Sequence, residues 1–447
     1  MIHINKVLVI AYYFPPLGWS GTQRTLKFVK YMRMFNWEPV VVTVGNSPFP
    51  VIDETLEEEV EKSIKIVRID DLFFKNKTDN ILDNLYSYVN SSFDLIESEN
   101  LKNEYMKEIE SKMNDLRSLL MLPDNNIIWA NKVLKKISKK VNFDDIDLLY
   151  STSGPYSDHI IAYHIKKLYK KPWVADFRDE WTNNPYYNYN KDSIRFKVEK
   201  YLENRIINFA DKIVTISRLS KENYVNKFGL EKNKVEVITN GYDEKDFVEI
   251  GNKTNKNKFT IVHSGAFYLI RNPLSFIKAI NNLINKGKIE KEKIQIEFIG
   301  TFESKIKEIV DKNSMDGLIK WIDYLPHKES LQHCIESNML LLVVGEGENL
   351  KSFYTGKVFE YLRTNKPILA LSPKGSVVEE LMIETGHGKN VEYNDIKGIE
   401  EVILDYYIKW QKGNEPYLDK EIIKKYERKN LTRKLVDIFE SIIRQTS

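Results

Sequence analysis

The chain has 447 residues, and its 67 Lys plus Arg nearly balance its 64 Asp plus Glu, so no broad basic field for nucleic acid extends over it. At roughly 150 residues per domain the length predicts two or three domains, and an ordinary 42% hydrophobic content lets each bury a core. The single cysteine, Cys334, excludes an intrachain disulfide framework. No apolar run reaches the roughly 20 residues of a membrane span.

In chain order, the opening MIHINKVLVIAYYFPP reads as a strand followed by a Pro-Pro loop. It lacks the apolar core and small-residue cleavage site of a signal peptide, which predicts a cytoplasmic protein, with peripheral contact at the inner face of a membrane left open. Short apolar runs predict buried parallel strands at residues 7–11, 40–44, 147–150, 173–175, 213–216 and 235–238. Further runs follow at 259–263, 294–299, 339–344 and 367–371. Most are separated by amphipathic helical patterns, which argues for α/β architecture with two doubly wound parallel sheets. Residues 70–131 are rich in Asn, Asp, Lys and Glu, with Leu101, Tyr105, Ile109 and Met113 at helical spacing. They are expected to form a helical insertion, read as a solvated helix pair. The turn Asn240-Gly241 is followed by the polar stretch EKDFVEIGNKTNKNK, a linker composition. The expected division is residues 1–245, residues 256–420, and a terminal helix over 421–447.

Several segments could carry chemistry. After the first strand, Gly18 and Gly21 lie between a strand and a helix with Leu26, Val29 and Met32 on one face. Such glycines let backbone N–H groups approach an anion at a helix N-terminus, and they also make an ordinary turn. STSGPYSDH places Ser151, Ser153 and Gly154 at a strand's carboxyl end, where open α/β sheets hold ligands. His159 there reads as a base or, more simply, as a surface histidine of the next helix. In WVADFRDEW, Asp176, Arg178 and Asp179 follow an apolar strand. A carboxylate could take an acceptor's hydroxyl proton while Arg178 orients it, or an Arg–Asp pair could simply brace the loop. In HSGAFYLIRNP, Gly265 and Arg271 suit a diphosphate, and a surface arginine is the alternative. In YTGKVFEYL, Thr355 and Gly356 open a short helix whose free N–H groups can meet phosphate. Lys357 adds a charge there. Glu360, one turn on, can accept two sugar hydroxyls or simply offset the helix dipole. The aromatic stretch from Trp181 to Asp192 could touch an acceptor or a membrane, or be a surface loop. Cys334 in LQHCIES reads as a buried small residue. No metal site is expected. His159 and His164 lack helical ligand spacing, and no Cys/His cluster, phosphate-cradling GxxxxGK[ST] loop or GxSxG elbow is present.

Taken together, these segments resemble the retaining GT-B glycosyltransferases of family 4, over nearly the whole chain. The Pro-Pro and glycine loop is similar to the family's N-terminal signature. Pro123, Asp124 and Trp129 of MLPDNNIIWA resemble the Pro-Asp…Trp segment of one bacterial branch, and STSGPYSDH and VADFRDEW resemble two more of its segments. Asn240, Gly241 and Asp243 match its Asn-Gly-x-Asp turn, and TGKVFEYL matches its Gly-Lys-x-x-Glu-Tyr-Leu helix. The resemblance implies two Rossmann-like domains facing each other across a cleft, with the donor on the C-terminal one, the acceptor on the N-terminal one, and a terminal helix crossing back.

Carried over, Arg271 and Lys357 would hold the diphosphate and Glu360 the ribose. Gly21 would lie over the phosphate and transferred sugar, and Leu325 would flank the base. Gly265, Thr355 and Gly356 would complete the donor site. Gly18, Ser153 and His159 fall on the acceptor side. Two departures stand out: Ser352 occupies the place of an earlier family glutamate, and Asp176, Arg178 and Asp179 occupy the neighbourhood of a family histidine. The implied activity is metal-independent transfer of a sugar, with retention, from a nucleotide-diphosphate donor, with no cofactor. The acceptor is expected to be a carbohydrate or lipid-linked hydroxyl, in surface polysaccharide or glycoconjugate synthesis. The alternatives are a nucleotide-sugar epimerase of the same fold and a non-catalytic nucleotide-binding scaffold subunit.

Overall fold

Runs of Val, Ile and Leu that are apolar on both faces form strands that must be covered on both sides, the setting of parallel sheets. The computed structural model describes residues 4–18, 20–47, 52–71, 121–184, 187, 190–248, 257–268, 271–414 and 418–446. Most of the expected insertion, including Leu101, Tyr105, Ile109 and Met113, lies outside the described residues, as does most of the expected linker. The chain divides into two compact units.

The first unit comprises Met1–Thr215, Leu230–Glu236 and Leu435–Ser447. Its strands are β1 (Asn5–Ile10), β2 (Trp37–Val44), β3 (Lys65–Ile69), β4 (Leu148–Ser153), β5 (Trp173–Phe177), β6 (Lys212–Thr215) and β7 (Val235–Val237). Among the described residues they form one sheet in the order β3-β2-β1-β4-β5-β6-β7, and the pairings from β3 through β6 are parallel. Helices α1 (Ser20–Met32), α2 (Ile127–Lys136), α3 (Ser157–Tyr169) and α4 (Ile194–Phe209) belong to this unit. The strand order reverses at β1, which lies between β2 and β4.

The second unit comprises Ile216–Gly229 and Val237–Lys434. Its strands are β8 (Phe259–Ser264), β9 (Ile294–Ile299), β10 (Ile319–Ile322), β11 (Met339–Val343), β12 (Ile368–Leu371) and β13 (Gly388–Val391). They make a parallel sheet in the order β10-β9-β8-β11-β12-β13. Helices α5 (Arg218–Phe228), α6 (Leu274–Asn285), α7 (Ser304–Asn313), α8 (His327–Glu336), α9 (Lys357–Thr364), α10 (Val377–Thr385), α11 (Ile396–Gln411) and α12 (Lys420–Ile423) belong here. Its core gathers Ile261, Phe276, Ile280, Phe298, Leu341 and Leu369, among others. Here the order reverses at β8, between β9 and β11, so ligands are expected outside the carboxyl ends of β8 and β11. A last helix, α13 (Arg428–Thr446), ends the chain. Its Phe439 packs edge-on against Trp37, ring centroids 5.1 Å apart.

The apolar runs forecast ten of these strands. The sequence reading missed β3, β10 and β13, each at the edge of its sheet. Their sequences, KIVRI, IKWI and GKNV, have partly exposed positions that carry Lys and Arg, so no continuous apolar run marks them. Cys334 is buried, as a small core residue.

Candidate functional site

In the second unit three elements converge where β8 ends. The backbone N–H of Ser264 donates to the hydroxyl of Tyr361 on α9 at 2.7 Å. The Ser264 hydroxyl lies 2.6 Å from that of Ser330 on α8. Gly265 follows, and the turn after β9 presses on it: a Cβ on Gly300 would fall 2.2 Å from the carbonyl oxygen of Gly265. Gly300 also has φ +138, which side-chain-bearing residues rarely adopt. The two turns therefore touch backbone to backbone.

The loop into α9 brings Thr355, Gly356 and Lys357, three of the expected donor residues, towards this place. Gly356 is the N-cap of α9, exposed, with open space where a Cβ would be. Thr355 is only 7% exposed, and its hydroxyl has no hydrogen-bond partner. Lys357 and Glu360 pair across one turn, Nζ to Oε2 at 3.0 Å. The other carboxylate oxygen, Oε1, meets Nε2 of His327 at 3.0 Å, and His327 opens α8. Burial opposes the charge on Glu360, but Lys357 and His327 outweigh it and hold the carboxyl well below its ordinary value. Burial likewise opposes the charge on Lys357, and Glu360 holds the ammonium above its ordinary value. Arg271 lies over the rings of Tyr268 and Phe353, at 5.2 and 5.8 Å from their centroids. Leu325 is half-buried in the loop between β10 and α8. The result is a cationic and hydroxyl-rich place at the strand-order reversal, with one ionised carboxylate.

The sequence reading missed two histidines of this neighbourhood. His263 is hidden in the apolar run of β8, and its only signal is its place two residues before Gly265. His327 follows Pro326 at a helix start, a helix signal rather than a site signal.

The first unit corrects several expectations. Asp176 is 0% exposed and meets Arg24 through two contacts, at 2.8 and 2.9 Å. It also accepts from the hydroxyls of Tyr150 at 2.6 Å and Thr152 at 3.0 Å. Burial opposes its charge, yet Arg24 and these hydroxyls hold the carboxyl below its ordinary value. A carboxylate so enclosed cannot reach an acceptor hydroxyl, so Asp176 is not the base that its position suggested. Arg178 is not its partner either. It donates to the carbonyl oxygen of Gly154 at 2.8 Å and lies 3.8 Å from Asp179. Its guanidinium fills the space beside Gly21, where a Cβ would fall 1.8 Å from Nη1. Burial raises the pKa of Asp179.

His159 is not a surface residue. It is 0% exposed, with Nδ1 2.8 Å from Ser151 Oγ and its ring against Phe177. Ser151 Oγ in turn accepts from the Trp173 indole at 2.8 Å. Burial pushes the His159 imidazole down to about 3. Ser153 is buried too, its hydroxyl facing the carbonyls of Asp176 and Asp179 at 3.5 and 3.4 Å. Gly18 lies on the loop beside the bridge between Leu17 and Ile52. Trp181, proposed as an acceptor or membrane contact, is a core residue stacked on Tyr156 with centroids 4.6 Å apart. Part of the stretch after it lies outside the described residues.

The Pro-Asp…Trp and Ser-Gly-Pro segments prove to be mates. Asp124 accepts from the backbone N–H of Ser157 at 3.1 Å and from its hydroxyl at 2.6 Å, at the first turn of α3. Trp129 is fully buried, and its indole donates to the carbonyl of Ile69 at 2.8 Å. Within either unit taken alone, no trio of His, Cys, Asp or Glu among the described residues gathers its ligand atoms together. No helix among the described residues is long and apolar enough to cross a membrane.

Residues 104–246 match the model of Glycosyltransferase Family 4. Over that segment, about a third of the chain, the sequence is similar to glycosyltransferases of family 4. A curated relative, the probable glycosyltransferase WbjE of Pseudomonas aeruginosa, is 26% identical over 244 residues. That alignment spans 50% of this chain and 56% of WbjE, about half of each. Among solved structures, a glycosyltransferase from Rickettsia africae is similar with a TM-score of 0.62 at 14% identity, covering 99% of both chains. Sucrose-phosphate synthase from Thermosynechococcus elongatus is similar with a TM-score of 0.67 at 10% identity, covering 99% of this chain and 100% of that one. Anabaena Alr3699/HepE, solved in complex with UDP-glucose, is similar with a TM-score of 0.60 at 12% identity, covering 98% and 99%. At these identities the likenesses show the fold, which is GT-B, two parallel α/β units.

Proposed function

We propose that this protein transfers a sugar from a nucleoside-diphosphate donor to an acceptor hydroxyl, with retention at the anomeric carbon and without a metal ion. The observation that carries the reading is the pairing of Lys357 with Glu360 at the start of α9, beside the Gly265 turn at the strand-order reversal. A diphosphate leaving group gathers negative charge as the bond from the sugar's anomeric carbon to its oxygen breaks. Lys357, Arg271 and the free N–H groups at the start of α9 are fixed in advance to receive that charge. The acceptor oxygen bonds to the same carbon on the face that the diphosphate vacates, and its proton passes to a diphosphate oxygen. Glu360, kept ionised by its neighbours, suits the two hydroxyls of a ribose. The acceptor is proposed to be a carbohydrate or lipid-linked hydroxyl in a surface polysaccharide or glycoconjugate, handled in the cytoplasm or at the inner face of a membrane. The support here is analogy to WbjE and to the family 4 match.

The test is calorimetric titration, without added metal, of uridine, guanosine and adenosine diphosphates and their glucose or mannose conjugates, with turnover followed as nucleotide release. One nucleotide is expected to bind, and Lys357→Ala is expected to lower turnover at least about 100-fold, the scale of losing one electrostatic stabiliser, in a protein that remains folded. Near-normal turnover in that variant sinks the assignment of Lys357. Donor consumed at the full rate with no acceptor present points to an epimerase instead. No binding across the panel favours the scaffold reading.

A further inference from the structure

His263 stands one residue before the end of β8 and is 4% exposed. Its Nδ1 lies 2.9 Å from the carbonyl oxygen of Leu341 on β11. A carbonyl can only accept, so Nδ1 carries the ring proton and Nε2 is a bare lone pair. Burial pushes the imidazole down to about 4, and the charges of Arg271 and Lys357 act in the same direction, so the ring is neutral under physiological conditions. The ring stacks on Phe267, centroids 4.3 Å apart and planes 14° from parallel, and cannot turn aside freely. Nε2 is buried with no hydrogen-bond partner. It lies beside the Gly265 turn, 3.2 Å from where a Cβ on that glycine would be. A buried acceptor left without a donor is costly unless something supplies the donor.

The missing donor cannot be a phosphate, whose oxygens only accept once ionised. A hydroxyl can fill the role. Thr355, whose own buried hydroxyl is without a partner, opens the helix that carries Lys357 and Glu360. Two orphaned polar atoms in a neighbourhood already suited to a diphosphate point to a ligand with both anionic oxygens and hydroxyls. We propose that Nε2 of His263 accepts a hydrogen bond from a hydroxyl of the bound nucleotide sugar, on its ribose or on the transferred sugar. His263 is thereby a ligand-binding residue that reads the donor. The inference rests on the donor-site reading above.

The experiment compares wild type, His263→Asn and His263→Gln by calorimetric titration with UDP and UDP-glucose, and with the guanosine and adenosine pairs. Asn keeps an N–H for Leu341 and removes the far acceptor, whereas Gln can return an oxygen near the position of Nε2. His263→Asn is expected to bind about five- to tenfold more weakly, the scale of one hydrogen bond, with recovery in His263→Gln. Weakening for both the nucleoside diphosphate and its sugar assigns the ribose hydroxyl. Weakening for the nucleotide sugar alone assigns the transferred sugar. A folded His263→Asn that binds every ligand as wild type does overturns the inference and leaves the donor-site reading standing. A wild type that binds no member of the panel overturns both. Should the variants not fold, wild-type protein labelled with nitrogen-15 histidine gives the answer. The Nε2 resonance of His263 is expected at the unprotonated position at neutral pH, moving upfield on saturation with ligand. A protonated Nε2, or no movement at saturation, overturns the inference.

Discussion

Arg24 and Asp176 form a buried ion pair whose members are 1% and 0% exposed. Two charges taken out of water stay stable only when paired and fully hydrogen-bonded, and here Tyr150 and Thr152 satisfy further lone pairs of the carboxylate. Breaking the pair from one side strands the other charge. Arg24→Met is therefore expected to cost the first unit about 3–5 kcal/mol, read as a lower urea midpoint. Arg24→Met combined with Asp176→Leu is expected to recover part of the loss. Equal midpoints for wild type and Arg24→Met would show that the pair contributes nothing. The sequence displayed Asp176, Arg178 and Asp179 side by side, and proximity along the chain suggested a local Arg–Asp partnership. The actual partner of Asp176 is far off in sequence, on α1. The sequence also offered no sign that Arg24 is buried, because an arginine on a helix is usually exposed. Glu360 differs because its partners, Lys357 and His327, come from helix starts beside a strand end. There the motif spacing made Lys357 and Glu360 legible and left His327 unmarked.

The helix α9 has eight residues, too short to hold its place by its own hydrogen bonds. Its buried face, Val358, Phe359, Tyr361 and Leu362, sets its depth. The tie from Tyr361 to the Ser264 N–H sets its position against the end of β8. Tyr361→Phe leaves that buried N–H without an acceptor, a loss of about 1–3 kcal/mol. It also lets Lys357 and Glu360 drift from Gly265. The expected result is a lower unfolding temperature together with several-fold weaker binding of whichever nucleotide the wild type takes. Lower stability with unchanged affinity would mean that the tie supports the fold but does not place the site. At this scale, interior strands were legible because they need apolar residues on both faces. Edge strands β3, β10 and β13 were not, since partly exposed positions accept Lys and Arg and erase the run.

Over the whole chain, counting apolar runs was enough to require two sheets, and helical spacing between them was enough to make those sheets parallel. The division into units was less legible, because contacts rather than sequence order decide it. Ile216–Gly229 groups with the second unit, and Leu435–Ser447 groups with the first. Stability as a function of pH is likewise a sum over buried groups of opposite sign. His159 protonates at about 3 in the folded chain, against an ordinary value of 6.5. Between these values the unfolded chain holds a proton that the folded one refuses, so this histidine's contribution falls as pH drops. The slope approaches about 1.4 kcal/mol per pH unit, and the contribution is level above the ordinary value. Buried Asp158 and Asp124 act in the other direction, since burial raises both carboxyls and the folded chain protonates them first. A single stability curve therefore mixes the signs, and the difference between two proteins separates them. His159 is faced by Ser151, Trp173 and Phe177, with the charge of Asp176 near enough to favour its protonation. His159→Gln can keep the contact with Ser151 while removing the titrating ring. The advantage of wild type over this variant, from urea unfolding of the first unit, is expected to be flat above about pH 6.5. Below that it is expected to shrink by about 1.4 kcal/mol per pH unit. Parallel curves for the two proteins would mean that His159 takes up its proton as readily folded as unfolded, against its complete burial.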